Sequence, residues 1–253
     1  MICYNLGAES LGSFRSSCKR LDSVLFKIFG YLYFVGRKHM LSKDSLDALF
    51  NISQSRYSPF MRHLVMGSEV FAENPGHNRP FGLTERLQSH QDDLYCRKFV
   101  ECLTFRATGE DVHMLAKSIR ALPNLDRFTL TVGYIQSTIF GKTLHYRASY
   151  GCASIRETTG FEMCRSTIDR PGHSADFASR IFCALSRSER KLQFFRTDVN
   201  LPDAAFNIPH SIQSSFIPVL AQLSTLVLNL PVLERYPVYR RCNRDPPRGS
   251  TIP

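Results

Sequence analysis

Apolar residues recur at helical spacing in several stretches of the chain. After Glu110 and Asp111, which occupy a first turn, the apolar side chains of residues 112–122 lie on one helical face, and Pro123 ends the pattern. This segment is therefore predicted to be an amphipathic helix. The same spacing predicts further helices over residues 44–52, 175–185 and 214–222.

Short alternating segments predict strands between these helices. They cover residues 60–66, 100–105, 127–132, 192–196 and 225–230. The order helix, loop, strand appears three times, which predicts an α/β fold. With 43% hydrophobic residues the chain can bury a sizeable core.

Two of the predicted strands begin with the same pattern of leucines. Residues 122–130 (LPNLDRFTL) and 220–228 (LAQLSTLVL) both follow LxxLxxLxL, with Phe128 in place of one leucine. In a leucine-rich repeat, the loop leucines and alternate strand residues enter one core. A weaker copy at 100–105 places Leu103 25 residues before Phe128, within the repeat length of about 20 to 29.

These spacings predict a short, irregular leucine-rich-repeat-like array, with helices on the convex side and short, mainly parallel strands on the concave side. The strands at Leu103, Phe128, Leu192 and Leu226 are expected to be neighbours in that order. The long interval before Leu192 predicts an insertion around 133–173. An ordinary α+β domain, in which helices happen to precede strands, is the alternative.

The chain also resembles the fungal F-box proteins with irregular leucine-rich repeats. The matching stretches are SLGSFRSSCKRLDSV (10–24), SLDALFNISQSRYSPFMRHLVM (45–66) and the two leucine patterns. The first stretch resembles the last helix of an F-box, with Leu11, Phe14, Cys18 and Leu21 at its apolar positions. The second resembles the helix and strand that follow the F-box.

The resemblance implies three segments and a function. Residues 1–40 would be an F-box remnant with its connection, 41–232 the repeat-like domain and 233–253 a disordered basic tail. The function would be substrate recognition in a ubiquitin ligase. Since the adaptor-docking helices of an F-box have no room before Leu11, this chain alone is expected not to capture the adaptor. The usual repeat Asn or Cys is replaced by Gly133 and Pro231.

The expected recognition surface consists of strand residues that alternate with core positions. If Leu103, Phe105, Phe128, Leu130, Leu192, Phe194, Leu226 and Leu228 point inward, their strand neighbours point outward. An exposed Phe195 would be a recognition hot spot, unless a loop from the insertion covers it. The outward set is Thr104, Thr129, Thr131, Gln193, Phe195, Val227 and Asn229.

A formal net charge of +10 raises the alternative of a nucleic-acid-binding protein. Three phenylalanines on predicted strands, Phe105, Phe194 and Phe195, lie near Arg106 and Arg196 and could stack on single-stranded bases. Alternating phenylalanines on strands more often belong to a core. Five of the arginines lie at positions 235–248, so part of the charge belongs to the C-terminal stretch.

The sequence gives little evidence for a catalytic or metal site. Gly141-Lys142-Thr143 lacks the earlier glycine of a phosphate-binding loop, and no GxSxG, HExxH or CxxC occurs. Cys152, Cys164 and His173 match no standard metal spacing. The expectation is therefore a non-enzyme without cofactor, metal or catalytic residue. Scattered cysteines and the absence of a clean signal peptide or membrane span predict a cytoplasmic or nuclear protein.

Overall fold

A computed structural model of the chain describes residues 8–71, 85–131, 135–139, 142–146, 148–161, 163, 171–197 and 210–228. The predicted mixed α/β class is confirmed. The elements in chain order are α1 (Ala8–Ser16), α2 (Lys19–Tyr33), β1 (Gly36–Met40), α3 (Lys43–Gln54), β2 (His63–Gly67), α4 (Glu85–Ala107), α5 (Glu110–Ala121), β3 (Arg127–Thr131), β4 (Ile135–Ile139), β5 (Lys142–Tyr146), α6 (Cys152–Thr159), α7 (Pro171–Ser188), β6 (Phe194–Thr197), α8 (His210–Ala221) and β7 (Thr225–Leu228).

The main sheet has five parallel strands in chain order, β1-β2-β3-β6-β7. This confirms the predicted parallel pairing and the order of the strands near Phe128 and Leu226. Strand β1 was not predicted, because its sequence GRKHM has only one strongly apolar residue. The remaining strands, β4 and β5, form a separate antiparallel hairpin.

Helices α3, α5, α7 and α8 cover one face of the main sheet, here named the helical face. They contact one another in that order. Between them and the strands lies the main core, to which the sheet contributes Leu64, Met66, Phe128, Leu130 and Phe195. Strand residues between these positions point to the opposite face, here named the open face.

Each of four strands begins with the same backbone arrangement, here named the double-amide contact. One carbonyl of the preceding unit lies within hydrogen-bond distance of two consecutive amides of the next. The acceptors are the carbonyls of Val35, Arg62, Asp126 and Gln193, and N···O distances run from 2.9 to 3.2 Å. Their donors are the amide pairs of Arg62 and His63, Asp126 and Arg127, Gln193 and Phe194, and Ser224 and Thr225. The start of each strand is thus aligned by the unit before it.

The predicted strand at Leu103 is wrong, because residues 100–105 belong to helix α4. Tyr95, Cys102 and Phe105 are buried at helical spacing. Val100 and Leu103 suggested a strand, but their side chains are 58% and 48% exposed. The true first strands of the sheet are β1 and β2.

The described part of the predicted insertion folds back over the start of the sheet. Tyr150 pairs with His39 as a parallel bridge at the outer edge of β1, and its amide donates to the Lys38 carbonyl at 2.7 Å. Beyond the end of β1, α4 and α6 contact each other and complete a second apolar cluster. Its buried members are Met40, Phe71, Tyr95, Cys102, Ile155 and Phe161.

The stretch that resembles an F-box helix is divided into two helices. Cys18 has extended backbone, and its sulfur accepts a hydrogen bond from the Leu21 amide at the start of α2. Leu11 is buried as its apolar position predicts, whereas Phe14 is 46% exposed. Residues 233–253 lie outside the described part of the chain.

Candidate recognition surface

The structure distributes the seven predicted recognition residues over different environments. Thr104 lies exposed on helix α4 and does not belong to the sheet, so this assignment is wrong. Val227 is exposed on β7 as predicted, whereas Gln193 is exposed but precedes β6 and is not a strand residue. Asn229 lies outside the described residues.

Thr129 and Thr131 point to the open face as predicted, but both are buried. Thr129 Oγ1 lies 2.9 Å from His63 Nε2, and His63 Nδ1 lies 3.1 Å from the Tyr146 hydroxyl of β5. A neutral imidazole completes this chain, with one nitrogen donating and the other accepting. The β4–β5 hairpin therefore covers this part of the open face, and the two threonines are not available to a partner.

Phe195 is a core residue, so its predicted exposure is wrong. It is 3% exposed, and its ring stacks on Phe128 with centroids 6.1 Å apart. The register explains the error, since Phe195 pairs with Phe128 and with Leu226 across the neighbouring strands. Leu192, which was aligned with Phe128, is buried just before β6 begins. The strand phase is therefore shifted by one residue.

This shift brings Phe194 to the open face in place of Phe195. Its ring is half-buried, and the Arg127 guanidinium lies 5.6 Å from the ring centroid. Arg196 is the next residue of β6 on that face. On β7, Thr225 and Val227 face the same way and are exposed. The carboxy-terminal part of the open face therefore has an aromatic centre between two arginines.

The electrostatics of the open face are positive near β3 and β6. Burial, and then the charges of Arg127 and Arg196, lower the pKa of His63 to about 3. His63 is therefore neutral at physiological pH, and the positive charge comes from the two guanidiniums.

The expected core positions Leu226 and Leu228 are also corrected. They point to the helical face, yet are 49% and 39% exposed. Strand β7 is at the edge of the sheet, and within the described residues no helix packs over them as α5 and α7 pack over β3.

A buried polar cluster lies under the insertion, and the sequence pattern did not reveal it. Lys38 Nζ lies 2.6 Å from Glu69 Oε1, and the Ser149 hydroxyl donates to Glu69 Oε2 at 2.7 Å. All three residues are less than 9% exposed. A Cβ on Gly67 would overlap this cluster, so the backbone approach requires glycine. The cluster connects Ser149 to strand β1 and to residue 69, which follows β2.

The other candidate chemistry finds little support among the described residues. Lys142 and Thr143 lie in strand β5, so no helix follows them as a phosphate-binding loop requires. Cys152 lies at the start of α6 and His173 in α7, whereas Cys164 is not described. In the described part of the chain no group of three or more potential metal ligands comes together.

Two of the three phenylalanines proposed to stack on bases are buried, Phe105 at 3% and Phe195 also at 3% exposure. Only Phe194 of that set reaches a solvent-accessible face.

None of the described helices combines the length and the apolar character that crossing a membrane requires. Comparison of the chain with protein-family models, with curated proteins and with solved structures gives no match.

Proposed function

We propose that this chain is a non-catalytic protein-recognition module, built as a short, irregular leucine-rich array. The observation that carries the proposal is the repeated double-amide contact at the starts of β2, β3, β6 and β7. The same register aligns the apolar pairs of loop and strand residues Met61 and Leu64, Leu125 and Phe128, Leu192 and Phe195, and Leu223 and Leu226. Repeating units of this kind stack their cores and leave one face of the sheet for binding.

The proposed binding surface is the part of the open face that the hairpin leaves uncovered. It replaces the surface expected from the sequence and consists of Arg127, Phe194, Arg196, Thr225 and Val227. Phenylalanine and arginine are both enriched at protein–protein interfaces relative to the rest of the surface. The two positive charges favour a partner that presents carboxylates beside apolar side chains.

The resemblance to F-box proteins supports a narrower proposal, that the module recognises substrates of a ubiquitin ligase. Adaptor binding would then require F-box helices besides α1 and α2. For this chain alone, a pull-down with purified adaptor is expected to show no saturable binding. Saturable binding would mean that α1 and α2 are sufficient for docking.

The recognition proposal is tested by quantitative affinity capture from an extract of the source cells. The full chain is compared with a Phe194→Ala/Val227→Ala variant and with a control, Val100→Ala/Leu103→Ala, on the exposed surface of α4. Proteins retained by the wild type and the control, but lost with the open-face variant, support the proposal. Capture that is equal for all three chains would contradict it.

A basic nucleic-acid-binding protein is the second candidate, supported by the net charge of +10 and by Phe194 between Arg127 and Arg196. Binding of a fluorescent single-stranded oligonucleotide measures this activity directly. A nucleic-acid binder that neutralises several phosphates loses affinity steeply between about 50 and 200 mM salt. Weak binding that the Phe194→Ala variant leaves unchanged would rule out a specific site on the open face.

A further inference from the structure

The last unit of the sheet exposes an apolar surface at its outer end. On β7, Leu226, Val227 and Leu228 are 49%, 39% and 39% exposed. On α8, the last of the described helices on the helical face, Ile217 and Leu220 are 62% and 36% exposed. Exposed apolar side chains gathered on one edge strand and its neighbouring helix are typical of an interaction surface.

Among the described residues, this edge shows none of the features that normally protect a strand from pairing with another chain. Charged side chains, prolines within the strand or a covering segment usually serve that purpose. Residues 211–228 contain no Asp, Glu, Lys or Arg. The opposite edge of the sheet, at β1, is blocked by the backbone bridge between His39 and Tyr150. The two edges of the sheet therefore differ, since Tyr150 pairs with β1 and no described residue pairs with the outer side of β7.

We propose that the β7 edge binds the β7 edge of a second copy of this chain, in an antiparallel pair about a two-fold axis perpendicular to the sheet. In that arrangement the helical faces of both copies lie on the same side. Residues on the same face must then stand opposite each other. Centred on Val227, the register places Val227 against its own copy and Leu226 against Leu228 of the second copy.

The self-complementarity of this register favours a second copy over an unrelated partner. Leu226 and Leu228 exchange places across the axis, so both are paired on the helical face, and the two Val227 side chains meet on the open face. A symmetric interface requires this kind of self-matching. Because residues 211–228 contain no Asp, Glu, Lys, Arg or His, two chains of net charge +10 can approach here without placing like charges of this segment in contact.

The experiment measures the mass of the full chain by light scattering after size exclusion, at several loading concentrations. The expected mass at high concentration is twice the 28.9 kDa of one chain. A Leu226→Lys/Leu228→Lys variant is expected to run as a monomer with an unchanged circular dichroism spectrum. The matched control, Val100→Lys/Leu103→Lys on exposed positions of α4, is expected to remain dimeric.

A second measurement tests the register. In a Val227→Cys variant the introduced thiols lie opposite each other at the axis, so mild oxidation should link two chains through the 225–228 peptide. Mass spectrometry of the digested product identifies that link, and a Thr225→Cys variant should form it at least about tenfold less because the register gives it a different partner.

Two outcomes would overturn the proposal. One is a monomeric wild type at about 100 µM, which would mean that another part of the chain or a different protein covers β7. The other is a dimer that the Leu226→Lys/Leu228→Lys variant leaves intact and that shows no link through position 227, which would place the interface elsewhere.

Discussion

The two halves of the open face share a backbone plan and differ in what lies upon it. Strands β1 to β3 are covered by the β4–β5 hairpin and by residue 149, whereas no described segment covers the open face of β6 and β7. The covered half has Gly36, whose Cβ would overlap the Tyr146 hydroxyl, and the buried Lys38. In the uncovered half, Phe194 lies in the same row across the sheet as Gly36, and Arg196 lies in the same row as Lys38.

This difference relates the type of side chain on each half of the face to whether another segment covers it. Small residues and satisfied polar groups occur where another segment approaches the backbone closely. Large aromatic and charged residues occur where the described segments leave the face accessible. The function proposed for the open face therefore rests on its carboxy-terminal half alone, and four measurements can break or sharpen this comparison.

The largest effects are expected within strand β6. Phe195→Ala should reduce the free energy of unfolding by about 3 to 5 kcal/mol, because the ring is buried against Phe128 and Phe182. Phe194→Ala, on the open face, should reduce it by about 1 kcal/mol or less. Chemical denaturation of both variants gives the comparison. Equal losses would mean that Phe194 is also core.

An effect of similar size is expected under the insertion. Lys38→Ala leaves the buried Glu69 carboxylate without its ion-pair partner and should cost about 3 to 5 kcal/mol. Lys43→Ala breaks the pair with Asp47 on the exposed surface of α3 and should cost under about 0.5 kcal/mol. Denaturation midpoints measure both. A small loss for Lys38→Ala would show that the insertion opens readily and admits water to Glu69.

The next comparison concerns the middle and the edge of the sheet. Leu130→Ala in β3 should cost about 2 to 5 kcal/mol, since Leu130 is fully buried. Leu228→Ala in β7 should cost about 1 kcal/mol or less in the monomer, since Leu228 is 39% exposed. Unfolding at low protein concentration separates this value from any effect of self-association. Equal costs would show that the β7 edge is covered within one chain.

The smallest of the four effects is the pH dependence contributed by His63. Its folded-state pKa is lowered to about 3 from the ordinary histidine value of about 6.5, so the unfolded chain binds the proton more readily. Its contribution to stability is complete above about pH 7 and declines as pH falls toward 3. Between pH 7.5 and pH 5 the loss should be on the order of 2 kcal/mol.

Comparing the wild type with His63→Gln at both pH values isolates this contribution. The other buried histidine, His39, whose pKa is lowered to about 4, remains in both chains. An equal loss of stability for the two chains would mean that His63 is not held neutral beneath Tyr146.

The sequence correctly predicted the helices and strands whose apolar residues all lie on one face and point into one core. Helix α5 and strand β3 are examples, because Leu115, Ile119 and Leu130 all point into one core. It failed at Phe195, because Leu192 was aligned with the strand residue Phe128 instead of with the loop residue Leu125. The spacing from Leu192 to Phe195 equals that from Leu125 to Phe128, so the pattern contained the correct register, but the long connection before Leu192 left two possible alignments.

The covered part of the candidate surface could not be predicted for a different reason. Thr129 has the polarity and position of an exposed strand residue, but the β4–β5 hairpin covers it, with Tyr146 contacting the His63 ring that lies against Thr129. Only long-range packing decides this point. Gly36 and Gly67 were the available signals, since glycine inside a strand indicates close approach by another segment.

The double-amide contact also determines how this fold can change. Each strand start is aligned by two main-chain donors on one carbonyl, whatever the length of chain between the units. The connection from β3 to β6 carries a hairpin and two helices, yet β6 keeps the same register as its neighbours. Connections can therefore differ in length while the strands keep their register. In the β3–β6 connection the hairpin, Ser149 and α6 pack on the sheet and on α4, so for protein engineering a new binding loop would be inserted between these elements and not in their place.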